Sequence, residues 1–227
     1  MTETYRKAYC PLFRFCRFCI CLVNRRMKVI GDVPAAPVVF VGHHQNMKGV
    51  VRTMEWLPVP VRLWVLACFC DKDECYRQYY GYTFTERLGW PCWLARPVAW
   101  IVSRFVARLT RSARTIPVFR GSVKGLKATM DQSVEAFCAG ENILLFPDVD
   151  YSGDTDDMGE IYKGFLALDR FCHQKTGKHV DFVPVYTRRE TMELVIGQPS
   201  RLTDGESFVA GRDRVAKELV EKMNRST

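Results

Sequence analysis

The sequence predicts an α/β fold: a single layered domain whose mostly parallel central sheet is flanked by helices and preceded by an N-terminal amphipathic helix. Apolar runs typical of buried strands alternate with segments of helical periodicity along most of the chain. The 227 residues, 48% hydrophobic and 26% charged, suffice for one sizeable core and exclude a disordered or collagen-like chain. No internal repeat or break in composition indicates a second domain.

The predicted elements follow one another in a regular order. Strands are predicted at 27–30, 38–41, 63–68, 115–119, 143–146, 182–186 and 192–196. Helices are predicted at 97–111, 123–139, 161–175 and 207–224. The run 38–41 is apolar throughout, which is typical of a strand buried on both faces. Its carboxyl end is therefore a place where an open α/β sheet binds ligands.

The N-terminal segment, residues 5–26, combines apolar residues at helical spacing with arginines and predicts a basic amphipathic helix. Such a helix lies at the headgroup level of an anionic membrane or packs its apolar stripe on its own domain. Arg14 and Arg17 interrupt the apolar stretch, which is not typical of a signal peptide. We therefore assign 1–26 to a membrane-interface helix and 27–227 to the α/β domain, and expect a peripheral protein at the cytoplasmic face of the membrane.

The charge of the chain indicates an anionic partner. Lysine and arginine exceed aspartate and glutamate by 8, and residues 87–130 contain nine basic residues and no acidic one. The aromatic residues of this region lie in an apolar helical pattern, which favours a membrane over nucleic acid, and no nucleic-acid recognition motif accompanies them. The ten cysteines, without a secretion signal, are predicted to be reduced thiols rather than disulfides or metal ligands.

Four short motifs lie at the ends of predicted strands. They are G-H-H-Q-N at 42–46, I-P-V-F-R-G at 116–121, L-F-P-D at 145–148 and V-P-V at 183–185. In this order and spacing they resemble the motifs of the glycerolipid acyltransferase superfamily, which includes the lysophosphatidate acyltransferases. The resemblance covers roughly residues 29–198.

The resemblance implies that His44 is the catalytic base, which takes the proton of an acceptor hydroxyl. The family places an aspartate five positions after this histidine, where the present chain has Gly49. Asp148 from a neighbouring motif or Glu55 on a helix beginning near residue 48 are candidates to orient the histidine instead. His43 offers a second imidazole, and two histidines satisfied structurally at a strand end are the alternative.

The other motifs imply how substrate is held. Arg120, followed by Gly121, matches the family's arginine for the acceptor's phosphate, a role that suits a guanidinium. From the family's F-P-E-G-T-R-S block, Pro147, an acid at Asp148 and Ser152 remain. The acidic segment 148–160 is predicted to be a solvated loop beside the site, with a divalent-cation loop as the alternative.

The resemblance thus implies an acyltransferase that moves a fatty acyl group from an acyl-CoA or acyl-carrier-protein thioester to a lysophospholipid or related lipid-like acceptor. No metal and no cofactor beyond the thioester donor are predicted. The alternative is a catalytically silent lipid-binding or scaffold protein with the same fold. A nucleic-acid-binding module is a third reading of the basic charge, and its binding would be sensitive to salt.

Overall fold

The strand and helix order is that of an α/β protein, as seen in a computed structural model that describes residues 3–119, 121–150 and 155–224. The helices are α1 (Glu3–Ala8), α2 (Pro11–Val23), α3 (Lys48–Trp56), α4 (Lys72–Arg77), α5 (Cys92–Ser112), α6 (Val123–Cys138), α7 (Ala167–Thr176) and α8 (Phe208–Asn224). The strands are β1 (Lys28–Ile30), β2 (Val39–Gly42), β3 (Val61–Leu66), β4 (Ile116–Val118), β5 (Asn142–Leu145), β6 (Phe182–Arg188) and β7 (Glu193–Ile196). Two 3₁₀ turns (Ala67–Phe69 and Lys163–Leu166) and a π-helix (Gln78–Arg87) complete the described elements.

Contacts between Cα atoms divide the chain into two compact units. The smaller unit comprises Met1–Cys16 and Leu63–Thr129, and the larger unit comprises Arg17–Arg62 and Met130–Thr227. The assignment of 1–26 to one membrane-interface segment and of 27–227 to one domain stays a prediction.

The larger unit contains the strand order β1-β7-β6-β2-β5. Strand β2 runs parallel to β5 on one side and to β6 on the other, and β1 runs parallel to β7. Only β6 and β7 are antiparallel among these pairs, because a tight turn joins them. All residues of β2 and β5 are buried, as expected for parallel strands covered on both faces. The predicted α/β class with a mostly parallel sheet is confirmed.

Helices α3 and α8 cover this sheet by packing against β6. The buried side of α8 includes Val215, Leu219 and Met223, which recur every four residues and therefore share one face of the helix. The parallel pairing of β2 with β5 brings the carboxyl ends of both strands to the same edge of the sheet. Residues that follow these two strands are thereby placed side by side.

The smaller unit pairs β3 with β4 in parallel, with Trp64 opposite Ile116. Its largest helix, α5, begins at Cys92, five residues before the predicted start at residue 97. Pro91 stands at the N-cap in an extended conformation, and the helix continues through Pro97. Ala95 and Ala99 on either side of Pro97 are fully buried, so that tertiary packing sustains the helix where propensity alone predicts a break.

The predicted N-terminal helix over 5–26 is wrong in its continuity, because the structure has two helices that separate at Tyr9 and Cys10. Pro11 is the first residue of α2, a position where its missing N–H is not needed. The break is held within the smaller unit by the Cys10 N–H, which donates to the Ser112 carbonyl at 3.1 Å. The Phe13 N–H donates to the hydroxyl of the same serine at 2.8 Å.

None of the described helices combines the length and the apolar character that crossing a bilayer requires. All ten cysteines are free thiols. Burial raises the pKa values of Cys75 and Cys172 to about 12, so both behave as small apolar side chains at neutral pH.

Candidate active site

The site begins where β2 ends, at Gly42, His43 and His44. A Cβ atom at Gly42 would lie 2.3 Å from the ring of Phe146, so only glycine permits this close approach. The next three residues, Gln45, Asn46 and Met47, have φ values of 46°, 48° and 71°, a left-handed run without any glycine. Because each such residue costs about 1–2 kcal/mol, the turn exists only where surrounding contacts determine it.

The acid of the site is Asp148, which follows β5. Val41 lies opposite Leu145 in the parallel pair, and this register carries the segment after β5 alongside the histidines. Oδ1 of Asp148 lies 2.5 Å from Nδ1 of His43, and Oδ2 accepts the backbone N–H of His44 at 3.0 Å. Both oxygens of this buried carboxylate are therefore engaged, one by each histidine. The predicted role of Asp148 as an acid beside the histidines is geometrically consistent with these contacts.

His43 is only 6% exposed, and both of its ring nitrogens face acceptors. Nδ1 contacts the Asp148 carboxylate, and Nε2 lies 3.1 Å from the backbone carbonyl of Thr155. Burial opposes the charged ring, but the hydrogen bond to Asp148 and the charge of that carboxylate outweigh it and raise the pKa of His43. When both ring nitrogens of His43 carry protons, the ring is a cation and forms an ion pair with the Asp148 carboxylate.

His44 has the opposite character. Its Nδ1 accepts the backbone N–H of Met47 at 3.2 Å, so the proton of the neutral ring is on Nε2. Burial lowers the pKa of His44, and this effect exceeds the attraction of the Asp148 charge, while the neighbouring His43 lowers the pKa further. His44 is therefore a neutral imidazole at pH 7, with its ring edge against Phe146 at a centroid distance of 5.9 Å.

Gly49, which stands where the resembled family has an aspartate, is tightly enclosed by backbone atoms. A Cβ atom at Gly49 would lie 2.1 Å from the carbonyl oxygen of His43 and 3.1 Å from that of His44. The Gly49 N–H also donates to the His44 carbonyl at 3.1 Å, which draws the start of α3 onto the histidine turn. The backbone at Gly49 therefore leaves no room for a larger residue unless the turn or the start of α3 moves.

The remaining predicted site residues make other contacts or lie outside the described part of the chain. Glu55 on α3 is buried, and its carboxylate accepts from the side chain of Asn24 at 2.9 Å. The carbonyl of Pro147 accepts the N–H of Tyr162 at 2.7 Å, which closes the base of the acidic segment. Arg120 and Ser152 lie outside the described residues. Gly121 has a φ of +81° and belongs to the smaller unit.

A polar network next to the histidines was not predicted from the sequence. Fully buried Gln45 donates to Asp156 and to the Thr187 carbonyl, each at 3.1 Å, and accepts from the Thr187 hydroxyl. Asp156 also pairs with the guanidinium of Arg189 at 2.8 Å. The only sequence signal was the acidity of 148–160. We expected residues 148–160 to form a solvated loop. Instead, the described residues from Thr155 onward are in part bound beside the histidines, and we call this stretch the cover.

The cover is anchored at a second point. The side chain of Asn224, the last residue of α8, accepts the Met158 N–H at 2.8 Å and donates to the Met158 carbonyl at 2.9 Å. The cation-loop alternative required Asp148 as its first ligand, but the two histidines already take both oxygens of this side chain. Asp156, which that alternative also used, is bound to Gln45 and Arg189.

Comparison with known proteins supports the fold. No protein-family model matches the chain, and no curated protein matches it. The crystal structure of the 1-acyl-sn-glycerophosphate acyltransferase PlsC from Thermotoga maritima is similar, with a TM-score of 0.53. The alignment covers 94% of this chain and 77% of that chain at 13% sequence identity. The likeness shows that the two proteins share a fold, the one that the motif resemblance implied.

Proposed function

We propose that the protein is an acyltransferase that moves a fatty acyl group from an acyl-CoA or acyl-carrier-protein thioester to a lysophospholipid or related lipid-like acceptor. The observation that carries the proposal is the buried contact of 2.5 Å between His43 Nδ1 and Asp148 Oδ1 at the carboxyl ends of two parallel strands. A carboxylate on one ring nitrogen orients a histidine and stabilises its protonated form, leaving the other nitrogen to take a proton. The shared fold with a solved acyltransferase supports the same reaction class.

In this proposal the acceptor's hydroxyl takes the place of the Thr155 carbonyl at Nε2 of His43. His43 that has lost its Nε2 proton, a form favoured as pH rises through its raised pKa, removes the hydroxyl proton. The oxygen attacks the thioester carbonyl, and a tetrahedral intermediate forms. The intermediate collapses by breaking the carbon–sulfur bond, and the leaving thiolate takes the proton from His43. The products are the acylated acceptor and a free thiol, so no further reactant is needed.

His44 is the base that the motif resemblance implies, and its contacts are less suited to that role. To accept a proton on Nε2, the neutral ring must first move its own proton to Nδ1, which faces the Met47 N–H. That exchange sacrifices one hydrogen bond, at a cost of about 1 kcal/mol. We therefore favour His43 as the base, with Asp148 as its positioning residue.

The second candidate function is a catalytically silent lipid-binding or scaffold protein. One observation favours it: the Thr155 carbonyl occupies the side of His43 that a base would present to an acceptor. In this case the His43–Asp148 pair would only stabilise the fold.

Release of free thiol from long-chain acyl-CoA, with a mixed lysolipid extract as acceptor, separates these alternatives. We expect acceptor-dependent release from the wild type and a loss of about 10²–10⁴-fold in His43→Gln, the contribution typical of general-base catalysis. His44→Gln, the matched control, should lose less than about tenfold. Loss confined to His44→Gln would transfer the base to His44. Folded wild-type protein that releases no thiol with either donor class would support the silent alternative.

We further propose that the protein works on the surface of an anionic membrane at the cytoplasmic face, with α2 as one point of attachment. No residue of α2 is buried, and Phe15, Phe18 and Leu22 are 65%, 60% and 70% exposed. Arg14 and Arg17 accompany this apolar surface. The Arg17 guanidinium donates to the backbone carbonyls of Met54 and Glu55 and keeps its positive charge, which suits anionic headgroups above an acyl layer. Helix α5 presents Trp93 and Trp100, 76% and 54% exposed.

Sedimentation with vesicles of phosphatidylcholine and phosphatidylglycerol tests this attachment. We expect Phe18→Gln with Leu22→Gln to reduce the bound fraction at least tenfold, because each buried apolar side chain contributes about 1.5–3 kcal/mol. Val209→Gln, which changes a 57% exposed residue of α8, is the matched control and should bind like the wild type. Equal sedimentation of all three proteins would exclude α2 as the attachment. Deleting 1–26 is a poorer test, since Tyr5 and Tyr9 are buried.

A further inference from the structure

We propose that His173, His179 and Asp204 form a binding site for one divalent transition-metal ion of the zinc type. The ligand atoms of these three side chains lie within 4.8 Å of one another. Nε2 of His179 is 3.2 Å from Oδ1 of Asp204, and Nε2 of His173 is 3.9 Å from the same oxygen. All three residues belong to the larger unit.

The spacing of the three atoms matches what the ion requires. Zinc binds histidine nitrogen and carboxylate oxygen at about 2.0–2.1 Å in tetrahedral geometry, which sets neighbouring ligand atoms about 3.3 Å apart. The distances of 3.2 and 3.9 Å to Asp204 lie just below and just above this value. Because the two rings are stacked nearly parallel, the His173 side chain, 39% exposed, would turn to aim its Nε2 at the same point as that of His179. Two imidazoles and one carboxylate are a donor set that this class of metal prefers.

The backbone brings the two histidines together. Helix α7 ends at Thr176, and Gly177 follows in the left-handed conformation, with a φ of 70° and its N–H donating to the His173 carbonyl. This turn reverses the chain and stacks the His179 ring on that of His173, with centroids 4.2 Å apart and planes within 9°. Gly177, which lies between the two histidines in the sequence, therefore allows the turn that brings their imidazoles together.

A buried acid orients one of the ligands. Oδ2 of Asp169 lies 2.9 Å from Nδ1 of His179, and its other oxygen accepts the Val180 N–H at 2.7 Å. Asp169 is only 2% exposed. With Nδ1 donating to this carboxylate, the lone pair of neutral His179 is on Nε2, the nitrogen that faces Asp204. A carboxylate behind the imidazole is the arrangement that holds metal-binding histidines in proteins.

The site also has room for a fourth ligand. His179 and Asp204 line a surface cavity of about 700 Å³ that shares no residue with the His43 site. A water molecule or an anion entering from this cavity completes the tetrahedron. The bound ion would fasten the segment before α8 to the end of α7, so that its binding stabilises the larger unit.

Titration of the reduced, chelator-treated protein with ZnCl₂ at pH 7.5, followed by calorimetry and thermal unfolding, tests the proposal. We expect one ion per chain, an increase in Tm on binding, and an affinity at least tenfold lower in His173→Gln and in Asp204→Asn. Their side chains are 39% and 85% exposed, so both variants should fold normally. His44→Gln, which removes an imidazole elsewhere, is the matched control and should bind like the wild type.

Cobalt(II) distinguishes this site from binding by the free cysteines. We expect visible absorption bands of tetrahedral cobalt without the near-ultraviolet charge-transfer band of a cobalt–thiolate bond. A thiolate band, binding that persists in His173→Gln, or no binding at all would overturn the proposal.

Discussion

Asp148→Ala is expected to lower the free energy of unfolding by about 3–5 kcal/mol, since removing one partner of a buried ion pair leaves the other charge uncompensated. It also leaves the His44 backbone N–H without the acceptor that now lies 3.0 Å away. Urea unfolding measures the loss. Asp148→Asn keeps an acceptor oxygen but no charge, and we expect a smaller loss.

Comparing how the stability of the wild type and of Asp148→Asn depends on pH tests whether the charge of His43 causes this loss. The folded protein holds the His43 proton more tightly than the unfolded chain, because the pKa of this ring is raised. The stabilisation is complete below pH about 6.5, the unfolded pKa, and is lost as pH rises through the folded pKa. We expect the wild type to lose more stability than Asp148→Asn over this window, since His179, whose pKa is also raised, contributes the same loss to both proteins.

His44 contributes to the pH dependence of stability in the opposite direction and over a different pH range. Because the pKa of His44 is lowered, its contribution is present above pH about 6.5 and is lost as pH falls through the folded pKa. The two histidines are thus distinguished by measuring stability on each side of this pH. If the free energy of unfolding of Asp148→Asn fell as steeply above pH about 6.5 as that of the wild type, the ion pair between His43 and Asp148 would be contradicted.

Gly49→Asp, which restores the aspartate of the family pattern, is expected to destabilise the protein rather than to activate it. The new Cβ would meet the His43 carbonyl oxygen at 2.1 Å, a backbone atom that cannot move without displacing β2 or the start of α3. Overpacking of this kind costs about 1–3 kcal/mol. We expect a matching decrease in stability and no gain in thiol release.

Gly159→Asp is the matched control, because it adds the same side chain where a Cβ meets nothing within 4 Å. This variant should unfold like the wild type. If Gly49→Asp were instead as stable as the wild type and released thiol faster, the turn after β2 would have to open readily and present His44 to an aspartate in the family's manner.

The sequence predicted the sheet better than the site. Strands such as β2 and β5 are short apolar runs buried on both faces, so their composition alone reveals them. The helix break at Tyr9–Cys10 was missed because the apolar spacing continues across it, although Pro11 was visible. The start of α5 was missed because Pro97 is a strong local signal, which the burial of Ala95 and Ala99 overrides.

The pairing of the acid with His43 could not be predicted from the motif spacing. That spacing points to His44, the histidine of the family pattern, and says nothing of the backbone after it. Three consecutive left-handed residues without glycine are intrinsically unfavourable, so no local rule predicts the turn at Gln45–Met47. The turn exists because distant groups, among them Thr187 and Asp156, bind the buried side chain of Gln45.

The attachment of Met158 to Asn224 connects the residues beside His43 to the last turn of α8. Thr155, whose carbonyl faces His43, lies between the Gln45-bound Asp156 and Pro147, and the segment that carries it is fastened again at Met158. In the proposed reaction, an acceptor reaches Nε2 only where it replaces the Thr155 carbonyl. The proposed reaction would then depend in part on the side chain of Asn224, which lies more than sixty residues after Met158 in the chain.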